Sequence, residues 1–263
     1  MAMTVSNWAY QSKQECLLHS KIVESRNSQC LSLNNTKLSC VPPEVFTKLT
    51  GLKHLYLSGC TLQGTIPSTL GQFTKLETLD LSDNSFDDFP GTICYQLHRL
   101  TTLDVSLNNL VTVPCAIAEM KNLKELNFSG NRLVDLPVEI GSLPHLRILD
   151  VSSNLLREIP SDMLTGPISK NLQVLKFADN LLEHLPTVIG TLTSLEELDL
   201  RNNNFTCLPG TVKSLLKLKA FHYSGNRWIM YPPFIQGVPS TEQSSFGTAA
   251  VEKLYSYIDP DTA

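Results

Sequence analysis

The chain has 263 residues, of which 42% are hydrophobic and 17% are charged, and its formal net charge is −4. This length and apolar content suffice for a buried core, and the mild charge excludes a disordered chain and a strongly basic nucleic-acid-binding protein. No run of about 18 apolar residues occurs, so no membrane span is predicted. The first residues lack a basic region followed by an apolar run, so we expect no signal peptide.

Residues 1–27 precede a pattern that repeats along most of the chain. They contain apolar positions with spacing that favours a helix. These positions are Trp8, Leu17, Leu18 and Ile22. We expect this segment to be an N-terminal cap that covers the open end of the repeats, and the alternative is an arm that binds a partner.

The repeated unit is clearest at residues 123–145, which read LKELNFSGNRLVDLPVEIGSLPH. Leu126 and Phe128 alternate with polar neighbours, so they predict a short strand with one buried face. Asn131 follows where the chain must turn, and its amide can pair with backbone groups that the turn leaves unpaired. Pro137 then suits the start of a short helical or irregular return. One unit buries too little apolar surface to fold alone, so neighbouring units must stack.

Nine such units follow one another, most of them 23 or 24 residues long. They begin near Ser28, Leu52, Leu76, Leu100, Leu123, Leu146, Leu172, Leu195 and Leu218. The turn asparagine recurs in seven successive units, as Asn84, Asn108, Asn131, Asn154, Asn180, Asn203 and Asn226. Thr36 and Cys60 take its place in the first two units. A period of this length with this spacing is the signature of leucine-rich repeats. The predicted fold is an α/β solenoid over residues 28–240, a right-handed arc with a parallel concave sheet and a helical or irregular convex side.

Two units and the C-terminus depart from the regular pattern. The second unit contains QGTIP, which is one residue longer before its proline, and the sixth contains the insertion MLTGPISKN. We expect this insertion to bulge outward on the convex side or the rim, because returns tolerate insertions. Residues 241–263 predict a C-terminal capping helix and tail, with Val251, Leu254, Tyr255 and Ile258 at helical spacing.

The run LPxxIxxLxxL resembles the intracellular Ras-suppressor-like class of leucine-rich repeats. It stands here as LPVEIGSLPHL from Leu136 and as LPTVIGTLTSL from Leu185. The resemblance implies a scaffold without catalytic activity, which acts with small GTPases, kinases or phosphatases, and some members of the class belong to larger assemblies. QGTIPSTLG, from Gln63 to Gly71, is instead similar to the plant-type extracellular repeat and occurs once.

Neither the cysteines nor the histidines form a pattern typical of a catalytic or metal site. The seven cysteines are scattered and odd in number, which favours free thiols in a reducing, cytoplasmic location. No CxxC pair, HExxH motif or phosphate-binding glycine loop is present, so we predict no cofactor and no metal. Cys30 and His54 take the same offset in adjacent units, and such a pair can activate a thiolate. No third residue orients them, so we predict no catalytic residue.

Residues between the two buried positions of each strand should point to solvent from the concave face. With one flanking arginine, the candidate partner-binding residues are Tyr56, Asp80, Asp104, Asn127, Asp150, Lys176, Asp199, Arg201 and His222. Together with neighbouring glutamates and aspartates they make this face acidic on balance, which favours a basic partner surface. Aspartate is also common at this offset whatever the partner.

The predicted function is therefore protein binding. The leading interpretation is an intracellular signalling scaffold or adaptor that binds a protein partner on its concave face and is monomeric alone, with no enzymatic activity. Two alternatives remain open at this point: a structural subunit of a larger assembly, and the ligand-binding ectodomain of a leucine-rich-repeat receptor.

Overall fold

The computed structural model describes residues 19–228. Trp8, Leu17, Leu18 and the predicted C-terminal helix lie outside these residues. The described helices are α1 (residues 19–28), α2 (Pro43–Lys48), α3 (Thr92–Gln96) and α4 (Ser161–Thr165). The described 3-10 helices are η1 (Ser68–Gln72), η2 (Cys115–Glu119), η3 (Val138–Ser142), η4 (Pro167–Lys170), η5 (Thr187–Thr191) and η6 (Gly210–Ser214).

Eleven short strands are described, and nine of them form one parallel sheet. The eleven are β1 (Cys30–Ser32), β2 (His54–Tyr56), β3 (Gln63–Thr65), β4 (Thr78–Asp80), β5 (Ser85–Asp88), β6 (Thr102–Asp104), β7 (Glu125–Asn127), β8 (Ile148–Asp150), β9 (Val174–Lys176), β10 (Glu197–Asp199) and β11 (Ala220–His222). The large sheet has the order β1-β2-β4-β6-β7-β8-β9-β10-β11, so each unit contributes one strand in chain order. This sheet confirms the predicted solenoid and its register.

The core lies between this sheet and the returns. The central strand residue and the residue after the strand are buried in every unit, as with Leu126 and Phe128, which are fully inaccessible. The return of each unit adds further apolar side chains, such as Ile140 and Leu143, both also fully buried. One continuous cluster therefore runs from Ile22 to Tyr223, and each unit covers the apolar face that its neighbour would expose.

Each of the eight described returns starts at the predicted proline. In unit 5, Pro137 stands just before η3 with extended backbone, and its carbonyl accepts a hydrogen bond from the Ile140 N–H at 3.2 Å. The same bond to the proline carbonyl recurs in the other seven returns. Since proline has a fixed φ and no N–H to satisfy, it begins these turns without losing a hydrogen bond.

Helix α1 packs against the first unit of the array. Ile22 is fully buried and Ser25 is 4% exposed. The Lys21 ammonium donates a hydrogen bond to the Ser32 carbonyl at 3.2 Å, which joins the helix to the residue that ends β1. The described part of the N-terminal segment thus covers apolar side chains of unit 1.

The insertion in unit 6 does not bulge outward as predicted. It folds as α4 followed by η4, and Met163, Leu164 and Ile168 are fully buried. Gly166 lies so close to Gly141 that an added Cβ would stand 2.3 Å from the Gly141 carbonyl oxygen. The prediction was wrong because three of the inserted residues are large and apolar, so burying them is favourable.

The QGTIP departure in unit 2 forms a second, two-stranded parallel sheet. Gln63 and Gly64 in β3 pair with Ser85 and Phe86 in β5, and the register shifts after Gly64. This small sheet follows the turns of units 2 and 3, where the chain leaves the large sheet. The extra residue before Pro67 gives the segment the length to run alongside its neighbour.

Candidate protein-binding face

The seven turn asparagines form a hydrogen-bonded ladder between units. The Asn154 Nδ2 group donates to the carbonyls of Phe128, Val151 and Ser152 at 3.0–3.1 Å, and its Oδ1 accepts from the Leu133 N–H at 2.9 Å. Two of these partners belong to the preceding unit. The other six asparagines make the same set of bonds, and five of the seven are at most 8% exposed. This arrangement confirms the geometry predicted for the column.

Cys60 takes the ladder position in unit 2 with a weaker set of contacts. Its Sγ donates to the Leu33 carbonyl at 3.1 Å, and the side chain is fully buried. Burial raises the pKa of this thiol, so it stays protonated and can donate. A thiol is a weak donor and lacks the amide acceptor, so unit 2 is tied to unit 1 by fewer bonds than the later units.

The predicted concave-face residues do stand in one column. Cα pairing runs from Tyr56 to Asp80, from Asp80 to Asp104 and so on to His222, so successive members are about 4.8 Å apart. The carboxylates of Asp80, Asp104 and Asp150 belong to neighbouring or nearly neighbouring strands. They share the exposed face of the nine-stranded sheet, which is the concave face.

These aspartates are half-buried and hydrogen bonded, and do not simply point to solvent as expected. The Asp104 Oδ1 accepts the Ser106 N–H at 2.9 Å, and the Asp150 Oδ1 accepts the Ser152 N–H at 3.0 Å. Asp80 makes the equivalent bond to Ser82. Each carboxylate therefore stabilises the turn that follows its own strand, which gives a physical reason why aspartate is common at this offset. The second oxygen of Asp80 and of Asp150 accepts no hydrogen bond from residues 19–228, whereas that of Asp104 accepts one from the Asn127 side chain.

Asp199 is a correction to the predicted set of contact residues. It is 2% exposed, and the Arg201 guanidinium covers it, with Nη2 donating to Oδ2 at 2.5 Å and Nε donating to Oδ1 at 3.0 Å. This hydrogen bond raises the pKa of Arg201. In this conformation Arg201 presents the surface that a partner would meet, and Asp199 supports it from below.

Other ion pairs neutralise the C-terminal end of the concave face. Lys176 Nζ lies 3.4 Å from the Glu197 carboxylate, and Lys219 Nζ lies 2.6 Å from that of Glu196. With the pair of Asp199 and Arg201, all three of these unit 8 carboxylates, Glu196, Glu197 and Asp199, lie beside a cation.

The middle of the concave face keeps its negative charge. Five carboxylates at the concave face of units 3–6 have no ion pair with any residue between 19 and 228. We call them the acidic patch, and they are Asp80, Asp83, Asp104, Glu125 and Asp150. Asn127 links two units of the patch, since its Nδ2 donates to the Asp104 Oδ2 at 2.9 Å. Its Oδ1 accepts the Ser129 N–H at 3.0 Å, so both ends of this side chain are occupied.

The geometry offers no support for chemistry at Cys30 and His54. Their Cα atoms are paired across β1 and β2, but the His54 Nδ1 lies 3.1 Å from the Thr78 Oγ1 on the opposite side. Over residues 19–228, no cluster of three or more His, Cys, Asp or Glu side chains could hold a metal ion. The six cysteines of this range form no disulfide. Among the helices that are described, none is both long and apolar enough to cross a membrane.

Sequence reasoning missed two features of this side of the molecule. First, the residue before each ladder position has a left-handed backbone in all nine units, even where it is Leu107 with φ 53°. Gly130 holds that place in unit 5, and an added Cβ would lie 2.6 Å from the Leu107 Cδ2. Second, Arg99, Lys124 and His145 line a groove beside the sheet. Each of these basic residues stands just before the strand of a successive unit, and this regular spacing in the sequence could have predicted a basic groove.

The comparisons with known proteins agree with this architecture. The family described as "Leucine rich repeat" matches residues 74–133 and 144–205, and related repeat families match residues 51–73 and 121–164. The chain is similar to the volume-regulated anion channel subunit LRRC8A of Homo sapiens, with 32% identity over 99 residues, which cover 37% of this chain and 12% of that protein. The chain thus spans a small part of the length of this curated relative.

Two solved structures are similar over most of the chain. A leucine-rich-repeat protein of Leptospira interrogans has a TM-score of 0.72 and 26% identity, and the match covers 81% of this chain and 59% of that one. The ectodomain of the plant membrane receptor kinase GASSHO1/SCHENGEN3 from Arabidopsis thaliana, in complex with CASPARIAN STRIP INTEGRITY FACTOR 2, has a TM-score of 0.66 and 27% identity. That match covers 75% of this chain and 24% of the receptor chain. With nine stacked strands and repeat-family matches that together span residues 51–205, the chain folds as a leucine-rich-repeat solenoid.

Proposed function

We propose that this protein is a non-enzymatic scaffold whose concave face binds a basic segment of a protein partner at units 3–6. The acidic patch carries the proposal. Its carboxylates are free of ion pairs within the described residues, whereas those of unit 8 are neutralised by Lys176, Arg201 and Lys219. Free charges on a regular surface speed the encounter with an oppositely charged partner and select against partners of like charge.

The proposed contact residues follow from the geometry of the column. Tyr56 stands one strand before Asp80 and offers an amphipathic ring at one end of the patch. Asp80 and Asp150 use one carboxylate oxygen for the local turn and keep the other for a partner. Both oxygens of Asp104 are hydrogen bonded, so it would contribute its negative charge. Lys176 and Arg201 bound the patch on the C-terminal side and would disfavour a basic segment that extended further.

The test compares two pairs of charge-neutralising substitutions with the same change in net charge. Asp104→Asn with Asp150→Asn removes charge from the acidic patch and keeps the Oδ1 acceptor for the turn. Glu196→Gln with Glu197→Gln removes two carboxylates that are already ion paired. The probe is a short lysine- and arginine-rich peptide, and the measurement is its affinity at low and physiological salt.

We expect the patch variant to bind the basic peptide about tenfold more weakly, with a smaller salt dependence, and the unit 8 variant to change little. Equal losses in the two variants would contradict a site at units 3–6. Cross-linking mass spectrometry on the native complex would then name the partner together with the face that it uses.

Cytoplasmic signalling with a small GTPase, kinase or phosphatase partner is the setting that we propose, on the resemblance to the Ras-suppressor-like class. A receptor ectodomain is the second candidate, favoured by the β3–β5 sheet at the QGTIP segment and by the likeness to the GASSHO1 ectodomain. The two candidates differ in glycosylation. Asn34, Asn127 and Asn204 begin Asn-x-Ser/Thr sequences, so an ectodomain expressed through a secretory pathway should carry glycans, and a cytoplasmic scaffold should not.

A further inference from the structure

A groove of about 400 Å³ lies at the edge of the large sheet where the strands begin, outside the acidic patch. It is lined by Glu77, Arg99, Thr101, Asn122, Lys124 and His145. These residues come from two columns. One holds the residue just before each repeat begins, and the other holds the second residue of the repeat. Because the units stack, side chains 23 or 24 residues apart in sequence become neighbours along the groove.

Hydrogen bonds between units fix the floor of this groove. The Asn122 Nδ2 donates to the His98 carbonyl at 2.7 Å, and the Thr101 Oγ1 donates to the Glu77 carbonyl at 2.9 Å. The Lys124 N–H donates to the Thr101 carbonyl at 2.8 Å. The groove therefore belongs to the stacked array itself and not to a separate loop.

The charge of the lining is positive. Its one carboxylate, Glu77, is held 3.3 Å from the Lys53 ammonium, so its charge is already compensated. Arg99 and Lys124 make no ion pair with any residue in the 19–228 range and are exposed. Two uncompensated cations and the imidazole of His145 thus face a space that carboxylate or phosphate oxygens could fill.

We propose that this groove binds a short acidic segment of a protein partner, with carboxylate or phosphate groups seated between Arg99 and Lys124. The neighbouring acidic patch, whose Asp80 and Asp104 belong to the same units, would repel an extended polyanion such as a nucleic acid or an anionic membrane. A short acidic segment can lie along the groove without reaching those carboxylates. The site is separate from the proposed concave site, and it gives the scaffold two neighbouring surfaces of opposite charge.

The test measures binding by fluorescence anisotropy with three peptide probes: a glutamate-rich peptide, its phosphoserine-containing counterpart and a glutamine-rich reference. Labelled anionic lipid vesicles and a short labelled RNA are measured in the same way. The groove variant is Arg99→Glu with Lys124→Glu. Its control is Lys213→Glu with Lys217→Glu, two exposed lysines of unit 8 whose replacement takes the net charge from −4 to the same lower value. A conservative variant, Arg99→Lys with Lys124→Arg, keeps both charges.

We expect the groove variant to lose about tenfold or more of its affinity for an acidic peptide, and the control and conservative variants to lose less than about twofold. A loss confined to the phosphoserine peptide would identify phosphate as the anion, and a loss for both peptides would identify carboxylate as sufficient. The proposal is overturned if the protein does not prefer acidic peptides to the glutamine-rich one, or if groove and control variants lose affinity equally. The proposal is also overturned if the groove variant weakens the binding of anionic vesicles or RNA and leaves the binding of both acidic peptides unchanged. Unchanged binding of the basic peptide in the groove variant would show that the two sites are independent.

Discussion

The turn asparagines and the concave-face aspartates each form a column of polar side chains along the large sheet, and the two columns have different roles. The ladder asparagines are buried, and each bonds to carbonyls of two successive units, as Asn154 does with Phe128 and Val151. Asp80, Asp104 and Asp150 lie four residues earlier, are half-exposed, and each bond to the turn of their own unit, as Asp104 does with Ser106. Regular spacing therefore does not imply equal roles. The ladder holds units together, whereas the aspartates shape single turns and leave charge on the surface.

The largest expected effect comes from breaking the ladder in the middle of the array. Asn154→Ala should reduce the free energy of unfolding by about 1–3 kcal/mol, because three carbonyls and the Leu133 N–H lose their partner inside the protein. Urea denaturation measures this loss. Asn122→Ala removes an exposed asparagine with one bond between units and should cost clearly less. Equal stabilities of Asn154→Ala and the parent would refute the ladder role.

Arg201→Ala tests the one place where the concave column is buried. Removing the guanidinium takes the Nε and Nη2 donors from the Asp199 carboxylate and keeps the hydrogen bond from the backbone N–H of residue 201. Since Arg201 is itself partly exposed, we expect a loss of about 1–2 kcal/mol in denaturant melts, less than for a fully buried pair. Adding Asp199→Asn should recover part of the loss. Lys219→Ala, at an exposed ion pair, serves as the control and should cost about 0–1 kcal/mol.

A smaller effect is expected where the ladder has a cysteine. Cys60→Ala removes one weak donor to the Leu33 carbonyl, so the loss should be about 0.5–1 kcal/mol, below that of Asn154→Ala. Native-state alkylation gives a second measure of the same site. Cys60 should react slowly since it is buried with a raised pKa, and the exposed Cys40, Cys115 and Cys207 should react first. Comparable rates for all four thiols would contradict the buried ladder position in unit 2.

The smallest expected effect is Asp104→Asn, which keeps an acceptor for the Ser106 N–H and loses one part-buried hydrogen bond, from the Asn127 Nδ2. Its stability should match that of the parent within about 0.5 kcal/mol in thermal and urea melts. Asp104→Lys has no acceptor and should cost more, because the turn loses its bond. If Asn and Lys at this position are equally stable, the local hydrogen bond contributes nothing and the column is purely a surface.

The sequence by itself determined the repeat. The phase of leucine, asparagine and proline specified which side chains face inward, so the strand register, the ladder and the proline-started returns could all be predicted. These features depend on contacts between residues at fixed offsets in neighbouring units. Because each unit has the same residue types at these offsets, the same contacts form in every unit. Asn131 and Pro137 could therefore be assigned roles before any geometry was known.

Only the tertiary structure decided which of the regularly placed charged side chains are exposed and which are buried or ion paired. Asp104 and Asp199 occupy the same column, yet Asp104 is half-exposed and Asp199 is covered by Arg201. The insertion in unit 6 likewise folded inward, and the basic groove formed from side chains of units 3–5. Burial, ion pairing and grooves depend on neighbours from other units and on side-chain conformations. The spacing of residues along one repeat does not specify these.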